Sequence, residues 1–457
     1  MRVAWPMALL VVAAVLGVTL IADPRTAHAQ AVQPGQTTVT SKDPASISFS
    51  MRVRAPGGVK SARLEYSVQN ATSGAVGGGG EAQLTPGVET DLNFSLSTRD
   101  GQRYIPIGSI FKYFWSIVPN DGSPTTTPVQ EYLFVDGRYT WSAVTDPGVT
   151  VYYYGANETA AQVALRAARS SLDATGVLLG VKVGYPIRLF VYRSEDEGKL
   201  AMRPQSPTFD AQIRTGGQRV SADVLHIFDN VSDPDVIRHE VAHVVTHVAG
   251  DGPFSGVPSW LDEGTAVYMQ KDLGIGYRTA VNLAIQSDRA LLLRAMQSSP
   301  GKPEDVNVFY GQAWSIVKFM NDEFGQPKFV QLYATIKEGA RIDDAVRKVY
   351  GFDQDGLYNA WRQKNGLKPV AVSAQPEVVI VPSTQATRVP LGVSSGGGSV
   401  AATAEAGSTS SGSTASADAE SPRGMVEVVL GVTLLIAGVL GGGGFYLLRQ
   451  RGGGTVS

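Results

Sequence analysis

Three histidines fall within nine residues, in the stretch Arg238-His239-Glu240-Val241-Ala242-His243-Val244-Val245-Thr246-His247, in a chain that has only five. Pro234 suits a first helical position and Asp233 a helix cap, so the spacing predicts a helix that stacks His239 and His243 one turn apart on one face. Two neutral imidazoles at i and i+4 can share one Zn²⁺ at about 2.0–2.1 Å, with Glu240 between them on the open side as general base. A catalytic zinc needs a third protein ligand and an open position. The segment Pro258-Ser259-Trp260-Leu261-Asp262-Glu263-Gly264-Thr265-Ala266-Val267-Tyr268 offers Glu263, 20 residues after His243. Asp262 is next to it, but successive helical positions diverge by about 100°, so only one of the two can be a ligand, and Glu263 is taken. His247 continues the series, yet eight residues span about 12 Å along a helix, too far for His239 and His247 to share an ion. It reads as a supporting or solvated group.

Composition narrows the alternatives. The chain has no cysteine, which excludes disulfides, Cys-type zinc sites, iron–sulfur clusters and thiol nucleophiles, so any metal must be held by His, Asp and Glu. Lys and Arg total 39 against 41 Asp and Glu, a net charge of -2, and no basic surplus points to nucleic acid.

The elements that position these residues differ along the 457-residue chain. Residues 1–29 carry Arg2, an apolar run over 7–22 and small residues at Ala27 and Ala29, the pattern of a signal peptide cleaved after Ala29. Over 30–136 apolar residues alternate with period two, as in Ile47, Phe49, Met51 and Val53, or Leu92, Phe94 and Leu96. Turn signals at 55–58, in the glycine run 77–80 and at 120–122 punctuate them, and the expectation is an all-β sandwich of immunoglobulin or fibronectin type. Over 137–367 strands at 149–154 and 187–192 alternate with helical segments such as 158–174, and after about residue 233 the pattern is mostly helical. The expected fold is therefore multidomain, a β-sandwich followed by an α+β domain with a mostly helical C-terminal half. Residues 368–423 read as a disordered linker rich in Pro, Ser, Gly and Ala, with 24 of the 28 residues 394–421 being Ser, Gly, Ala or Thr. Residues 428–448 hold no charge and are long enough for one transmembrane helix, and Arg449 and Arg451 place the tail 449–457 in the cytoplasm. The expected location is a bacterial cell membrane, single-pass, with the body outside.

The His239-Glu240-Val241-Ala242-His243 and Trp260-Leu261-Asp262-Glu263-Gly264-Thr265-Ala266 stretches resemble the gluzincin metallopeptidases, most closely the peptidase-MA-like family of bacterial secreted and membrane proteins. Phe309-Tyr310-Gly311-Gln312-Ala313-Trp314 looks like the following core helix of that family, and 113–122 is similar to the sandwich that often precedes such domains. The resemblance covers about 137–367. It implies a zincin-type fold, a Zn²⁺ ligated by His239, His243 and Glu263, and Glu240 as the catalytic base in hydrolysis of extracellular peptide or protein substrates. Related gluzincins use a Tyr or His to stabilise the oxyanion, and Tyr310 is the first choice here, although it also reads as a core aromatic. His226, in a strand that could pair with an extended substrate, is another, and it also reads as an ordinary strand residue. The rival from a different class is a non-catalytic surface binding or adhesion protein whose zinc is structural. A closed four-ligand site would favour that rival, and three ligands beside Glu240 favour catalysis.

Overall fold

The computed structural model describes residues 32–87, 89–100, 103–202, 216–228, 234–252, 256–300 and 302–371. The signal peptide, most of the linker, the transmembrane segment, the tail and the cap at Asp233 therefore lie outside the described residues. Among the described residues no helix is long and apolar enough to cross a membrane.

The N-terminal strands are β1 (Gln33–Asp43), β2 (Ser46–Arg54), β3 (Val59–Asn70), β4 (Gly74–Glu81), β5 (Gln83–Thr85), β6 (Glu89–Ser97), β7 (Ile110–Pro119), β8 (Thr125–Thr126) and β9 (Gln130–Leu133). They form two antiparallel sheets, one ordered β1-β2-β6-β5 and one β4-β3-β7-β8, with β9 also on β7. The period of two in β2 explains its placement, because Ile47, Phe49, Met51 and Val53 all point into the core while Ser48 and Arg52 face out. The Phe49 and Tyr113 rings meet edge to face at 5.1 Å across the sheets, and Trp115 Nε1 donates to Thr37 Oγ1 at 3.2 Å. One expectation is corrected here. The glycine run 77–80 is not a turn but part of β4, paired with β3. Its missing side chains make room for neighbours: a Cβ on Gly80 would stand 2.6 Å from the Phe94 ring, and one on Gly78 would meet Tyr66.

A third sheet follows, built from β10 (Trp141–Asp146), β11 (Val149–Tyr154), β12 (Ile187–Val191), β13 (Gly217–Arg219) and β14 (Val224–Ile227). Its order is β10-β11-β12-β14-β13; β11, β12 and β14 run parallel, and β10 and β13 are antiparallel to their neighbours. Parallel strands bury both faces. One face, with Val151, Leu189, Leu225 and Ile227, packs on α1 (Glu158–Leu179) and α2 (Pro234–Gly250). The other, with Phe190, Tyr192 and Val224, shares a core with the N-terminal sheets, so apolar packing is continuous across the 136/137 boundary. Alanines on α1 keep it close to α2, where Ser171 Oγ donates to Arg238 O at 2.8 Å.

The rest is helical: α3 (Ser259–Tyr268), α4 (Ile275–Gln286), α5 (Val306–Phe324), α6 (Gln326–Lys337), α7 (Ile342–Tyr350) and α8 (Gln354–Lys364). Trp260, Phe309, Ile316, Leu332, Tyr333 and Trp361 are among the buried residues of this core. Burying each large apolar side chain contributes on the order of 1.5–3 kcal/mol. Gly264 lets α3 and α5 touch backbone to backbone, since a Cβ there would stand 2.5 Å from Ala313 O.

Candidate metal centre

Helix α2 presents His239, Glu240 and His243, all buried, and α3 returns antiparallel to bring Glu263 to them. The return is made by the glycine- and proline-punctuated stretch after Gly250, with Pro258 in an extended conformation before the first residue of α3. Glu263 Oε2 lies 3.2 Å from His239 Nε2 and 3.4 Å from His243 Nε2, and one donor atom from each of the three residues falls within 4.8 Å of the others. Two ligands bound at about 2.05 Å and a tetrahedral angle stand about 3.3 Å apart, so the spacing fits Zn²⁺. The chemistry of the set fits as well. Glu240, Asp262 and Glu263 put three carboxylates in one buried cluster, which calls for a cation, and His243 Nε2 has no hydrogen-bond partner among the described residues.

Protonation tendencies follow from these surroundings. Burial, aided by His243, pulls the His239 imidazole below its usual value even though Glu263 opposes this, which favours the neutral, ligating form. Burial also disfavours charge on His243, but Asp262 and Glu263 outweigh it and hold His243 well above the ordinary imidazole range. Burial would raise Glu263, yet His243 and His239 keep its carboxyl below the usual value.

Asp262 is not on the ligand side. Its Oδ1 lies 2.9 Å from His243 Nδ1, and it also accepts the Thr246 hydroxyl. A carboxylate on the far nitrogen fixes the ring and raises its basicity. Asp262→Asn is therefore expected to weaken zinc binding by about 10- to 100-fold, measured by competition with a chromophoric chelator. His247 extends the same chain of contacts, with Nε2 3.5 Å from Asp262 Oδ2 and Nδ1 2.6 Å from Asp251 Oδ2. It supports Asp262 and lies away from the three ligands.

Glu240 is fully buried, and neither carboxylate oxygen has a hydrogen-bond partner among the described residues. Burial pushes its carboxyl up to about 8. Above it runs β13, whose only partner among the described residues is β14. Gly217 makes that approach feasible, since a Cβ there would stand 2.6 Å from Glu240 Cγ. Tyr310, on α5, is buried with its ring 6.2 Å from that of His239 and stacked on Tyr277 at 5.4 Å. Tyr277, which the motifs did not flag, is also buried; its hydroxyl has no partner among the described residues, and burial together with Glu263 raises its pKa. His226 is excluded from the site. Along β14, Leu225 and Ile227 face α1 and α2, so alternation turns His226 to the opposite face, where its Nε2 donates to Ile107 O at 2.8 Å. Its strand is interior, and the edge position on that side, among the described residues, belongs to β13.

Residues 167–365 match the family model described as Peptidase MA superfamily. Over that stretch the chain is similar to the proteins of the peptidase MA superfamily. No curated protein matches the chain. Among solved structures, an M1 zinc metallopeptidase of Deinococcus radiodurans bound to a Tyr-Ser-Ala substrate is 11% identical, with 74% of this chain and 94% of that one covered at a TM-score of 0.35. A putative ApaA protein of Bordetella pertussis is 15% identical over 24% of this chain and 92% of its own, with a TM-score of 0.16. The alkylpurine DNA glycosylase AlkC of Pseudomonas fluorescens is 10% identical over 23% of this chain at a TM-score of 0.17, and the match spans 30% of its length. Likenesses this distant transfer neither overall fold nor activity.

Proposed function

We propose that the protein is a membrane-anchored zinc metallopeptidase that hydrolyses peptide bonds in extracellular peptides or proteins. The observation that carries this reading is Glu240, a buried carboxylate with both oxygens unpartnered among the described residues, set between two of three convergent metal-binding side chains. A structural zinc site has no use for such a group, and among the described residues no fourth ligand joins His239, His243 and Glu263.

When bound, zinc supplies a Lewis acid and a water acidified toward neutral pH. Glu240 then takes the proton of the attacking water and delivers it to the leaving amine. A substrate laid in extended form beside β13, the edge strand among the described residues, passes alongside Glu240, with main-chain hydrogen bonds holding its register. Tyr310, beside His239, is the side chain we assign to the oxyanion, and the stacked Tyr277 shapes the same wall. The sequence patterns at 1–29 and 428–448 support export and a single-pass anchor, with the catalytic body facing outward.

The test uses the full-length chain, loaded with zinc, on a broad peptide library. Cleavage is expected that a chelator abolishes and added zinc restores. A stoichiometrically zinc-loaded protein that cleaves nothing would favour the surface binding protein instead, and failure to bind zinc at all would remove the site.

A further inference from the structure

We propose that a cavity beside the metal centre is a subsite for a carboxylate of the bound substrate, with Arg219 as its anchor. The substrate class rests on the peptidase reading above. The cavity has a volume of about 290 Å³ and is lined by Arg219, His247, Asp251, Tyr185, Lys337 and Thr72. That is close to the roughly 300 Å³ at which small-ligand pockets begin.

Arg219 is the unusual member. It is half-buried at the cavity wall, whereas Arg188, Arg238 and Arg362, arginines of comparable or lower exposure, are paired with Asp223, Asp235 and Asp288. The Arg219 guanidinium has no hydrogen bond or ion pair among the described residues. Burial pulls it below its ordinary pKa, while Asp262, Asp251 and Glu240 act on it only through space. A guanidinium held this way keeps a planar fork of N–H donors that matches a carboxylate in bidentate fashion. The neighbours suit the same ligand. Lys337 Nζ spends one donor on Val248 O at 2.5 Å and keeps two others. Asp251, the acidic member of the lining, is engaged by His247 Nδ1 at 2.6 Å, which offsets its repulsion.

Position ties the cavity to the reaction. Gly217 lies over Glu240, and Arg219 is two residues further along β13, on the same face and about 7 Å away. A peptide extended along that edge, with its reacting bond at Glu240, brings a side chain or its own end into the cavity within one or two residues. Thr72 belongs to the turn between β3 and β4, where Asn70 Oδ1 accepts from Thr72 N at 2.9 Å and Ser73 N at 3.0 Å. The N-terminal sheets thus supply a wall of the subsite.

The experiment compares peptides that differ only by Glu or Gln at positions within two residues of the cleaved bond, each with a free or amidated C-terminus. Cleavage is measured with the full-length chain and its Arg219→Met and Arg219→Lys variants. Equilibrium binding of the same peptides is measured on Glu240→Gln, with and without Arg219→Met. The carboxylate-bearing peptides are expected to be favoured by about 10- to 100-fold in both assays, with the preference lost in Arg219→Met and partly kept in Arg219→Lys. Neutral peptides should change by no more than about twofold. A preference carried by Glu identifies a side-chain subsite; one carried by the free C-terminus identifies a chain-end subsite. Equal cleavage of all peptides overturns the subsite and leaves the peptidase standing. Arg219-dependent binding without any cleavage keeps the subsite and overturns the peptidase. A preference that survives in Arg219→Met, or no preference in either assay, overturns the proposal. Should Arg219→Met fail to fold, Lys337→Gln takes its place, with a fall in carboxylate preference expected and an unchanged preference counting against the proposal.

Discussion

Replacing Glu240 with glutamine is expected to lower kcat by at least about 10²- to 10⁴-fold while zinc content stays at one ion per chain. The substitution is close to isosteric, which matters because Glu240 is fully buried under Gly217. Glutamine fills the same volume but cannot accept the water proton, so the chemical step is lost while the ligands His239, His243 and Glu263 are untouched. Folding should not suffer. A buried carboxylate with two unpartnered oxygens either carries a desolvation cost of at least a few kcal/mol when charged or takes up a proton to avoid it, and the amide is neutral at every pH. The expected combination is therefore a thermal midpoint equal to or above that of the parent, unchanged zinc content and negligible turnover. The stability change follows from the buried carboxylate under either reading, whereas a loss of turnover at constant zinc content is expected only of a peptidase. Single-turnover cleavage and metal analysis on the same preparations decide it, and an active Glu240→Gln protein would sink the assignment of the general base.

Much of this centre is legible in the sequence because its determinants are local. His239 and His243 are one helical turn apart, and Glu263 follows after a short break rich in glycine and proline, so periodicity and turn chemistry suffice to bring them together. The strongly alternating strand β2 is legible for the same reason. What escaped reading depends on distant neighbours. Strand β13 has only three residues, too few to show a period, yet among the described residues it is the edge strand over Glu240. The Gly216-Gly217 pair was the available signal, since adjacent glycines mark a close approach of backbone to another group. Gly77 to Gly80 carry the same signal but read as a turn, because only the Tyr66 and Phe94 rings on neighbouring strands explain a flat run of glycines. Asp262 is ambiguous beside Glu263 until the far nitrogen of His243 is located, and nothing near Arg219 or Tyr277 in sequence reveals that neither side chain has a hydrogen-bonding partner among the described residues. His226 illustrates the limit most directly: its type and strand were readable, but which face it occupies depends on sheet order.

That placement of His226 carries the second large effect, an acid-dependent loss of stability independent of the metal. The ring is fully buried, its Nε2 donates to Ile107 O at 2.8 Å, and Phe190, Tyr192 and Phe228 surround it with centroids 6.1, 6.2 and 6.1 Å away. Nδ1 has no partner among the described residues, so a second proton would put an unsatisfied charged donor among aromatic rings. Burial accordingly holds the imidazole down to about 4, against 6.5 when exposed, with the Ile107 carbonyl and Asp136 only partly opposing it. Above pH 6.5 both folded and unfolded chains keep His226 neutral, and its burial carries no proton-linked penalty. As pH falls from 6.5 towards 4 the unfolded chain binds a proton that the folded chain refuses, so stability drops by up to about 3 kcal/mol, with most of the loss complete by about pH 4.5. His226→Gln retains an N–H for Ile107 O but does not titrate. Urea unfolding of both full-length proteins in chelator, at about pH 7.5 and about pH 4.5, should show the parent losing about 2–3 kcal/mol more than the variant between the two. Working without zinc removes protonation of His239 and His243 as metal ligands from the comparison, and their own titration cancels between the two proteins. Equal losses would mean that the contact between β14 and the N-terminal sheets opens before the ring is protonated, and that the continuous core beneath the metal centre is weaker than its packing implies.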